Sequence, residues 1–453
     1  MSTTLTNYDG SIVTTPRQLV RPESVEELQA VLRQPDRYPS PVRAMGSYHS
    51  LTPCASSSGT VVSMAGLKKV VRVDPETMTF TAQAGLEMIE AAKVLREQNL
   101  QFMLNIEIGN MTLGSAACCH TKDALDGVAF GQVNSYVTGI KWVSPSGALE
   151  ETSEDRNPDL LSLIRGSYGL AGILYEVTFK VKPLEIIRFN YHVHDVDELT
   201  QDRISEVIAS NDSMVCWAIG RIVVIQTRNR AAELSHEWLA GARRFGWNFL
   251  AAFAGRAIRQ HTPGPALTNV AEDIEGEIEL GFYRLLSAAG GFTLYNPDKM
   301  IDYSETPQSA RYAFTFWAFP RQDWVTNLRA YLEFAESHFR QHGFRCNMPL
   351  GSYFIRQDTS SLLSYTYDGD IISLDPIHAP AARDKDAWSY FLQSFNDWAY
   401  RRGGTPLLNQ SPFVKKEHVV AAYGDRWKKL SDYVRTADPT GRLLNPFFQE
   451  LLA

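Results

Sequence analysis

The chain has 453 residues, of which 44% are hydrophobic and 21% charged, and its formal net charge is −7. This length exceeds one ordinary hydrophobic core, so we expect two domains, one of which can be discontinuous. The acidic balance and the lack of a basic tail argue against a nucleic-acid partner.

The cysteine pattern and the N-terminal residues indicate the cellular compartment of the protein. The five cysteines form no CxxC motif, and any full pairing leaves one over: Cys54, Cys118, Cys119, Cys216 and Cys346. Residues 1–15 lack the basic and apolar regions of a signal peptide. The longest uncharged apolar run near the middle of the chain, 245–255, is too short to span a bilayer. We therefore expect a cytoplasmic protein with reduced thiols and no transmembrane segment.

The first elements predict a helix lying on a sheet. Ser24 and Glu27 are spaced as a capping box, and apolar residues follow at helical spacing on one face. Strands are expected at 42–44 and 61–64, and a hairpin at 70–73 and 78–84, followed by a helix at 86–98.

The strand expected at 42–44 leads into the loop of the stretch RAMGSYHS, Arg43 to Ser50. Gly46 followed by small or polar residues lets successive backbone N–H groups turn inward and form an anion nest, for which a phosphate is the natural occupant. His49 ends the loop, where an imidazole could reach past a bound phosphate chain. The alternative is a Gly-Ser turn with a surface histidine.

Two further stretches have unusual backbone. Residues 108–121, IGNMTLGSAACCHT, contain no acid and no Lys or Arg, which suits close approach to a ligand. Residues 165–181 combine a glycine-spaced turn with an alternating strand, after a hairpin predicted at 133–144 and 149–152. No GxGxxG between a strand and a helix and no GxxxxGK[ST] loop occurs, so a nucleotide would need a different scaffold.

The chain changes character after Pro183. Strands predicted at 187–194, 214–226 and 311–319, with helices between them such as 323–342, indicate an antiparallel sheet with helical cover. Residues 233–260 form a long helical pattern with five aromatic residues and four arginines. An amphipathic membrane-surface helix is one alternative. An aromatic stripe at helical spacing is more often core, so we do not expect peripheral membrane contact.

The order of these segments resembles the flavoprotein oxidoreductases typified by vanillyl-alcohol oxidase, in particular the alditol oxidase and sugar-lactone (arabinonolactone) oxidase branch. The N-terminal third carries the loop 43–50, the Gly/Ala-rich stretch and GSYGLAGILYEVTF. Residues 217–230 and 312–334 look like strand and strand-helix segments of that family's cap. The tail ADPTGRLLNPFFQELL, 437–452, is the most specific match.

The resemblance implies an α+β, two-domain flavoprotein with a discontinuous FAD-binding domain of the PCMH type and an antiparallel-sheet cap domain. The domains would be 1–185 and 411–453 for FAD and 186–410 for the cap. Covalent attachment of FAD through His49 is expected, and it requires a neutral imidazole. The alternative is a dissociable flavin near His49. A second flavin bond from Cys118 or Cys119 does not fit the following loop, so we expect both thiols to be packing residues.

The expected cofactor-binding residues come from the loop and from these family segments. They are Arg43, Ala44, Met45, Gly46, Ser47, Tyr48, His49, Ser50, Gly109, Thr112, Gly114, Ser115, Ala117, Cys118, Thr121, Gly169, Gly172, Ile173 and Asn445.

The chain departs from the family pattern in three places. Residues 119–123 replace the usual Gly-Thr-His-Gly run, Gly351 to Tyr353 stand where a Glu-x-Arg pair is expected, and 407–410 lack the expected His and Lys. The expected catalytic residues are Tyr353, Arg356, Asp375, His378 and His120, and further candidates are Lys122 and Tyr367. Because three polar sugar contacts are lost, we expect a substrate other than a simple polyol.

The sequence therefore predicts an FAD-dependent oxidoreductase, an oxidase that passes electrons from a CH–OH carbon of a small organic or sugar-like substrate to O₂. The alternatives are oxidation of a less polar specialised metabolite, including at a C–N bond, and a dehydrogenase using another acceptor. A flavin-binding protein without turnover is a more remote alternative. The sequence indicates no metal and leaves the oligomeric state open.

Overall fold

The computed structural model describes residues 3–123 and 129–453. Eleven strands and four α-helices occupy the first 183 residues as far as they are described. The strands are β1 Leu5–Thr6, β2 Val13–Thr14, β3 Gln18–Val20, β4 Val42–Met45, β5 Thr60–Ser63, β6 Val70–Asp74, β7 Thr79–Gln83, β8 Leu100–Phe102, β9 Val137–Val143, β10 Leu149–Ser153 and β11 Ile173–Pro183. The helices are α1 Val25–Arg33, α2 Met88–Glu97, α3 Leu113–Cys118 and α4 Pro158–Ile164.

These strands form two main sheets that share one core. A parallel three-stranded sheet has the order β3-β5-β4, and an antiparallel sheet has the order β10-β9-β11-β7-β6, with β8 pairing β11. The apolar faces of α1 and α2 pack into the core between the sheets, together with the small residues of α3. The strand β11 is central because it pairs with β7, β8 and β9.

Local chemistry explains where the elements begin. Ser24 caps α1 by accepting a hydrogen bond from the Glu27 amide, as the capping-box spacing predicts. Thr112 caps α3 in the same way, accepting from the Ser115 amide. The turn between β9 and β10 places Gly147 at φ +83°, which glycine adopts without steric cost.

The second part of the chain builds a larger sheet with helical cover. Its strands are β12 Ile186–Asp195, β13 Ser213–Ile219, β14 Ile222–Ala231, β15 Phe292–Tyr295, β16 Ala313–Phe314, β17 Trp317–Pro320, β18 Leu350–Ile355, β19 Ile371–Leu374, β20 Ile377–His378 and β21 Thr405–Pro406. Its helices are α5 Gln201–Ser210, α6 Trp238–Phe245, the π-helical Gly246–Ala254, α7 Gly255–His261, α8 Pro265–Ala288, α9 Trp324–His342 and α10 Lys385–Arg401, followed by α11 Lys416–Ala437 and α12 Pro446–Leu452.

Eight of these strands form one antiparallel sheet in the order β15-β12-β14-β13-β18-β19-β17-β21. The helices α5, α9 and α10 cover one face with a core rich in Trp and Phe, and α8 contributes to a second cluster on β12, β13 and β15. The predicted α+β class and antiparallel sheet are confirmed.

The C-terminal segment returns to the first sheets. Arg442 donates to the backbone oxygens of Val31 and Leu32 in α1, and its own carbonyl accepts from the Val42 amide in β4. The helices α11 and α12 share a core with Cys54 and the 168–170 turn. The proposed domain boundaries at 185/186 and 410/411 stay predictions.

Two predicted strands differ from the structure. Residues 214–226 form a hairpin, because Gly220 at φ +57° turns the chain between β13 and β14. Residues 311–319 are broken: β16 pairs with β20, and β17 pairs with β19 in the large sheet. Apolar residues lie on both sides of each break, so the sequence pattern does not reveal where the strands end.

The predicted aromatic helix also differs. It begins at Trp238, not 233, and changes from α to π geometry between Gly246 and Ala254. Trp247 packs inward, but Trp238, Phe245, Phe249 and Phe253 are exposed, so the expectation of a core stripe is wrong for these four. Within the described parts of the chain, no helix combines the length and apolarity needed to cross a membrane.

Candidate FAD and substrate site

A cleft lies where the loop after β4 meets residues of the second part of the chain. Its walls come from the loop 43–51, the segment 106–122 and the turn 168–174. The other side is closed by Tyr303, Tyr312, Phe314, Asn409 and Gln410, with Tyr8 from the N-terminal arm. The cleft therefore brings the loop 43–50 together with the two glycine-containing segments, 108–121 and 165–181, that the sequence marks as unusual.

The loop can pass close to α3 because residue 46 is glycine. A Cβ atom at Gly46 would lie 2.5 Å from Thr112 Oγ1 and 2.6 Å from Ser115 Oγ. Gly114 is equally confined, since its Cβ would lie 2.9 Å from the Ala84 Cβ. The loop and helix thus form a wall of small residues and backbone, which suits a phosphate chain and a flat ring.

The turn 168–174 needs glycine for a similar reason. Gly172 has φ +144°, and its Cβ would lie 2.5 Å from both Trp142 Cδ1 and the Val143 carbonyl oxygen. Beside it, the Arg43 guanidinium donates to the carbonyls of Cys54, Tyr168 and Leu443. Arg43 therefore ties the loop, the turn and the C-terminal segment together behind the cleft.

His49 stands in an aromatic environment at one end of the cleft. Its ring centroid lies 5.0 Å from that of Tyr8 and 6.1 Å from that of Tyr303. Burial, helped by the nearby positive charge of Arg311, lowers the pKa of His49 to about 4. The imidazole is therefore neutral near pH 7, which is the state that a nucleophile requires.

Charge and unsatisfied polar atoms indicate what the cleft can hold. Among the described residues that line it there is no Asp or Glu, whereas Arg43 and Lys122 are present. Two buried side-chain oxygens, Asn409 Oδ1 and Gln410 Oε1, line it without a hydrogen-bond partner in the described structure. An acid-free cleft with open acceptors fits FAD, which carries two phosphates together with hydroxyl and N–H donors.

A buried ion pair lies beside the cleft. Lys122 lines it, and its Nζ lies 2.7 Å from Asp375 Oδ2. The ammonium also lies 3.8 Å from the centre of the Phe314 ring and 5.1 Å from that of Tyr353. These rings leave the ammonium few routes to water and hold it by cation–π attraction.

Burial changes the protonation of both partners in this pair. It raises the pKa of Asp375 to about 6, although the positive charge of Lys122 opposes the rise. It lowers the pKa of Lys122, against the effect of Asp375. The two groups are thereby brought closer in proton affinity, which suits them to pass a proton between them.

Most predicted cofactor residues line the cleft. Those that do are Arg43, Ala44, Gly46, Ser47, Tyr48, His49, Ser50, Thr112, Gly114, Ser115, Cys118, Thr121, Gly169 and Gly172. Those that lie behind it are Met45, Gly109, Ala117, Ile173 and Asn445. Asn445 caps α12 and donates to the carbonyls of Pro53 and Ser56, so it supports the segment next to the loop.

The predicted catalytic residues are spread over the molecule. Tyr353 and Asp375 lie beside Lys122. His120 is buried behind the cleft and bonds to Tyr168 and Ser361, and burial lowers its pKa to about 3.

The other candidates lie farther from the cleft. His378 is buried in the cap, 3.1 Å from Asp384, and contacts the rings of Phe344 and Trp388. Arg356 is exposed in a separate surface depression, with Arg321 and Asp370. Tyr367 stacks under Arg426. The structure does not bring these three residues to the cleft.

Sequence reasoning missed the aromatic wall formed by Tyr8, Tyr303, Tyr312 and Phe314. Tyr8 precedes the first predicted element, and Tyr303 lies in a short 3₁₀ turn, Tyr303–Glu305, so no periodicity marks either residue. The departure of residues 407–410 from the family pattern is the sequence feature that points to Asn409 and Gln410. Lys122 is among the sequence candidates, but no sequence pattern indicates that Asp375 is its partner.

Comparisons with known proteins agree with this geometry. Residues 16–153 match the family described as FAD binding domain. The L-gulono-1,4-lactone dehydrogenase of Mycobacterium tuberculosis is 29% identical over 254 residues, covering 55% of this chain and 57% of that protein. A putative D-arabinono-1,4-lactone oxidase of Neurospora crassa is 28% identical over 176 residues, covering 39% and 31%. The chain therefore matches less than two thirds of the length of these relatives.

A solved structure matches over the whole chain. Cholesterol oxidase from B. sterolicum superposes with a TM-score of 0.77 at 16% identity, covering 100% of this chain and 97% of that one. At this identity the likeness shows the fold alone.

The fold and the matched domain define the class: this is a two-domain flavoprotein whose FAD-binding domain includes residues 16–153, so FAD is its cofactor. Within that class, the sequence relatives to which the chain is similar are sugar-lactone dehydrogenases and a putative sugar-lactone oxidase. The predicted resemblance to this branch, the fold class and FAD as the cofactor are confirmed, and the covalent bond through His49 stays a prediction.

Proposed function

We propose that the protein is an FAD-dependent oxidoreductase that oxidises a CH–OH carbon of a small organic molecule. The observation that carries this proposal is the Lys122–Asp375 pair, which places a buried proton acceptor in the same cleft as the FAD-binding loop. An alcohol that loses a hydride must also lose its hydroxyl proton, so the site needs such a group.

The proton transfer follows from the 2.7 Å contact. The Asp375 carboxylate takes a proton from the Lys122 ammonium, and the neutral amine then accepts the proton of the substrate hydroxyl. Bound FAD supplies the acceptor for the hydride that leaves the same carbon, so the alcohol becomes a carbonyl compound. Lys122 and Asp375 then hold one proton more than before, which passes to solvent when the product leaves.

The FAD is held, in this proposal, by the loop 43–50, by α3 and by the turn 168–174, with the flavin bonded covalently to His49. The low pKa of His49 supports the bond, because only the neutral imidazole has a free lone pair. Asn409 and Gln410 are then available to accept hydrogen bonds from the cofactor or the substrate.

The substrate class has two candidates. The relatives favour an aldono-1,4-lactone or a similar sugar-like alcohol. The wall of Tyr8, Tyr303, Tyr312 and Phe314 favours a flatter, less polar alcohol, or an amine oxidised at its C–N bond.

O₂ is the proposed electron acceptor, and the alternative is another acceptor, since both oxidases and dehydrogenases occur among the relatives. The free cysteines support a reducing compartment, which we propose to be the cytoplasm.

The test is anaerobic mixing of the purified flavoprotein with a panel of aldonolactones, polyols and aromatic alcohols, following the loss of the oxidised flavin absorbance. We expect one class to reduce the flavin and Lys122→Met to slow that reduction about 100-fold or more, as loss of a general base does. Lys93→Met is the matched control, because Lys93 is exposed and pairs only with neighbouring Glu90 in the described structure.

Two outcomes would contradict the proposal. If Lys122→Met reduces its flavin as fast as the wild type, the pair is not the proton acceptor. If no substrate in any class reduces the flavin, the protein binds flavin without oxidising an alcohol.

A further inference from the structure

The cap carries a large exposed apolar surface on two adjacent helical segments. On the first, the rings of Phe245, Phe249 and Phe253 stack along the helix at centroid distances of 5.0 and 5.3 Å, and the exposed Trp238 lies about two turns before Phe245. On the second, α8, the exposed apolar residues are Leu267, Val270, Ile274, Ile278 and Leu285. We call these nine residues the cap face.

The two segments run antiparallel and in contact. Arg259 at the end of the first bonds to Glu272 near the start of α8, and Gly246 at its other end abuts the ring of Phe282. On the α8 helical wheel, Ile274, Ile278 and Leu285 fall on the side next to Phe282, towards the stacked rings. The cap face is therefore one continuous surface.

Its size is that of an interface. The nine side chains are between 38% and 71% exposed. Taking about 200 Å² for a fully exposed large side chain, they present roughly 1,000 Å². The largest apolar patch on a typical monomer is about 300–600 Å², and one partner in a stable complex buries about 800 Å².

The charges beside the cap face favour protein over lipid. Residues 233–288 contain no lysine and have more acids than arginines. Glu277 is exposed along the edge of α8, where it would repel an anionic bilayer, and the neighbouring Asp273 pairs with Arg345 at 2.8 Å. Arg284 is exposed on the same edge, about two turns further along.

We propose that the cap face is the interface of a two-fold symmetric dimer of this chain, in which α8 packs antiparallel against α8 of the second copy. Antiparallel pairing about a centre near residue 280 brings Arg284 of each copy towards Glu277 of the other, while Asp273 stays paired with Arg345 of its own chain. The stacked phenylalanines of the two copies then meet on the opposite edge. The same face is thus complementary to itself in shape and in charge, as a two-fold interface requires.

The test is sedimentation equilibrium of the full-length flavoprotein over a range of concentrations. We expect a wild-type dimer, and Ile274→Glu with Ile278→Glu to raise the dimer dissociation constant about 100-fold or more, since four carboxylates would be buried at the centre. Leu149→Glu is the control, because Leu149 is equally apolar and exposed but lies in β10, outside the cap face. Bound flavin in each variant reports that the fold is retained.

A charge exchange makes the test specific. Arg284→Glu should weaken the dimer, and adding Glu277→Arg to it should restore the dimer. A wild-type monomer at all concentrations would overturn the proposal. A second result would also overturn it: the wild type binds phosphatidylcholine–phosphatidylglycerol vesicles without dimerising, and the Ile274→Glu, Ile278→Glu variant does not bind them. The cap face would then be a lipid-binding surface.

Discussion

At the scale of single residues, the chemistry depends on groups whose ordinary protonation is changed by burial. Lys122, Asp375 and His49 all lie in or beside one cleft, and in each the largest cause of the pKa shift is loss of water. Burial favours the neutral form of each group: neutral Lys122 can accept a proton and neutral His49 can act as a nucleophile, whereas Asp375 must be ionised to receive a proton.

This environment predicts how activity depends on pH. Below a pH of about 6 Asp375 gains a proton and cannot receive one from Lys122, because burial has raised its pKa to that value. We expect kcat/KM to fall about tenfold per pH unit below pH 6 and to level off above it. The measurement is the pH profile of kcat/KM with a substrate that does not titrate in this range.

Asp375→Asn provides the comparison for that profile. The variant should be slow at all pH values and should lose the limb near pH 6, since the amide does not titrate there. A wild-type profile that is flat between pH 5 and pH 7 would contradict the assignment of Asp375.

Part of the site could be predicted at this scale and part could not. The loop 43–50 is local in sequence, and its glycine, serines and histidine all lie along the cleft as expected. Lys122 and Asp375 are 253 residues apart, so their contact depends on packing of the cap against the FAD-binding sheets. No spacing in the sequence distinguishes Asp375 from His378, which lies three residues later but bonds within the cap.

At the scale of elements, the strand β11 and the turn before it support the cleft. Gly172→Ala should destabilise the protein, because its Cβ would lie 2.5 Å from the Val143 carbonyl oxygen and its φ of +144° is one that L residues rarely adopt. We expect the thermal midpoint to fall by about 5 °C or more. Circular dichroism during heating measures it.

Gly139 in β9 is the control for that substitution. A Cβ there meets no atom closer than 3.7 Å, so Gly139→Ala should shift the midpoint by less than about 2 °C. Equal shifts in the two variants would show that the close packing at Gly172 does not limit stability.

The elements also show which patterns carry reliable information. The Ser24 cap of α1 and the hairpins β6–β7 and β9–β10 form as predicted, since caps and turns act over a few residues, although Glu27 accepts from the Glu23 amide and does not complete the capping box. The continuous strand predicted at 214–226 is a hairpin, and the apolar residues on both sides of Gly220 gave no sign of the turn. The aromatic pattern at 233–260 indicated a helix correctly but not which surface its rings face.

At the scale of the whole molecule, the chain closes on itself to build the cleft. The C-terminal segment bonds to α1 and β4 through Arg442, and Arg43 donates to the Leu443 carbonyl 400 residues away. The resemblance of residues 437–452 to a family tail predicted this return, whereas composition and periodicity could not. The dimer proposed above would leave this closure intact, because the cap face is separate from it.

The central claim is that this cleft holds FAD, with His49 as the point of attachment. The most direct measurement is the visible spectrum of the purified protein before and after acid precipitation, for the wild type and for His49→Ala. We predict that flavin absorbance remains with the wild-type pellet and passes to the supernatant for His49→Ala. Flavin released by acid from the wild type would contradict the covalent bond, and a colourless protein that FAD cannot reconstitute would contradict the account as a whole.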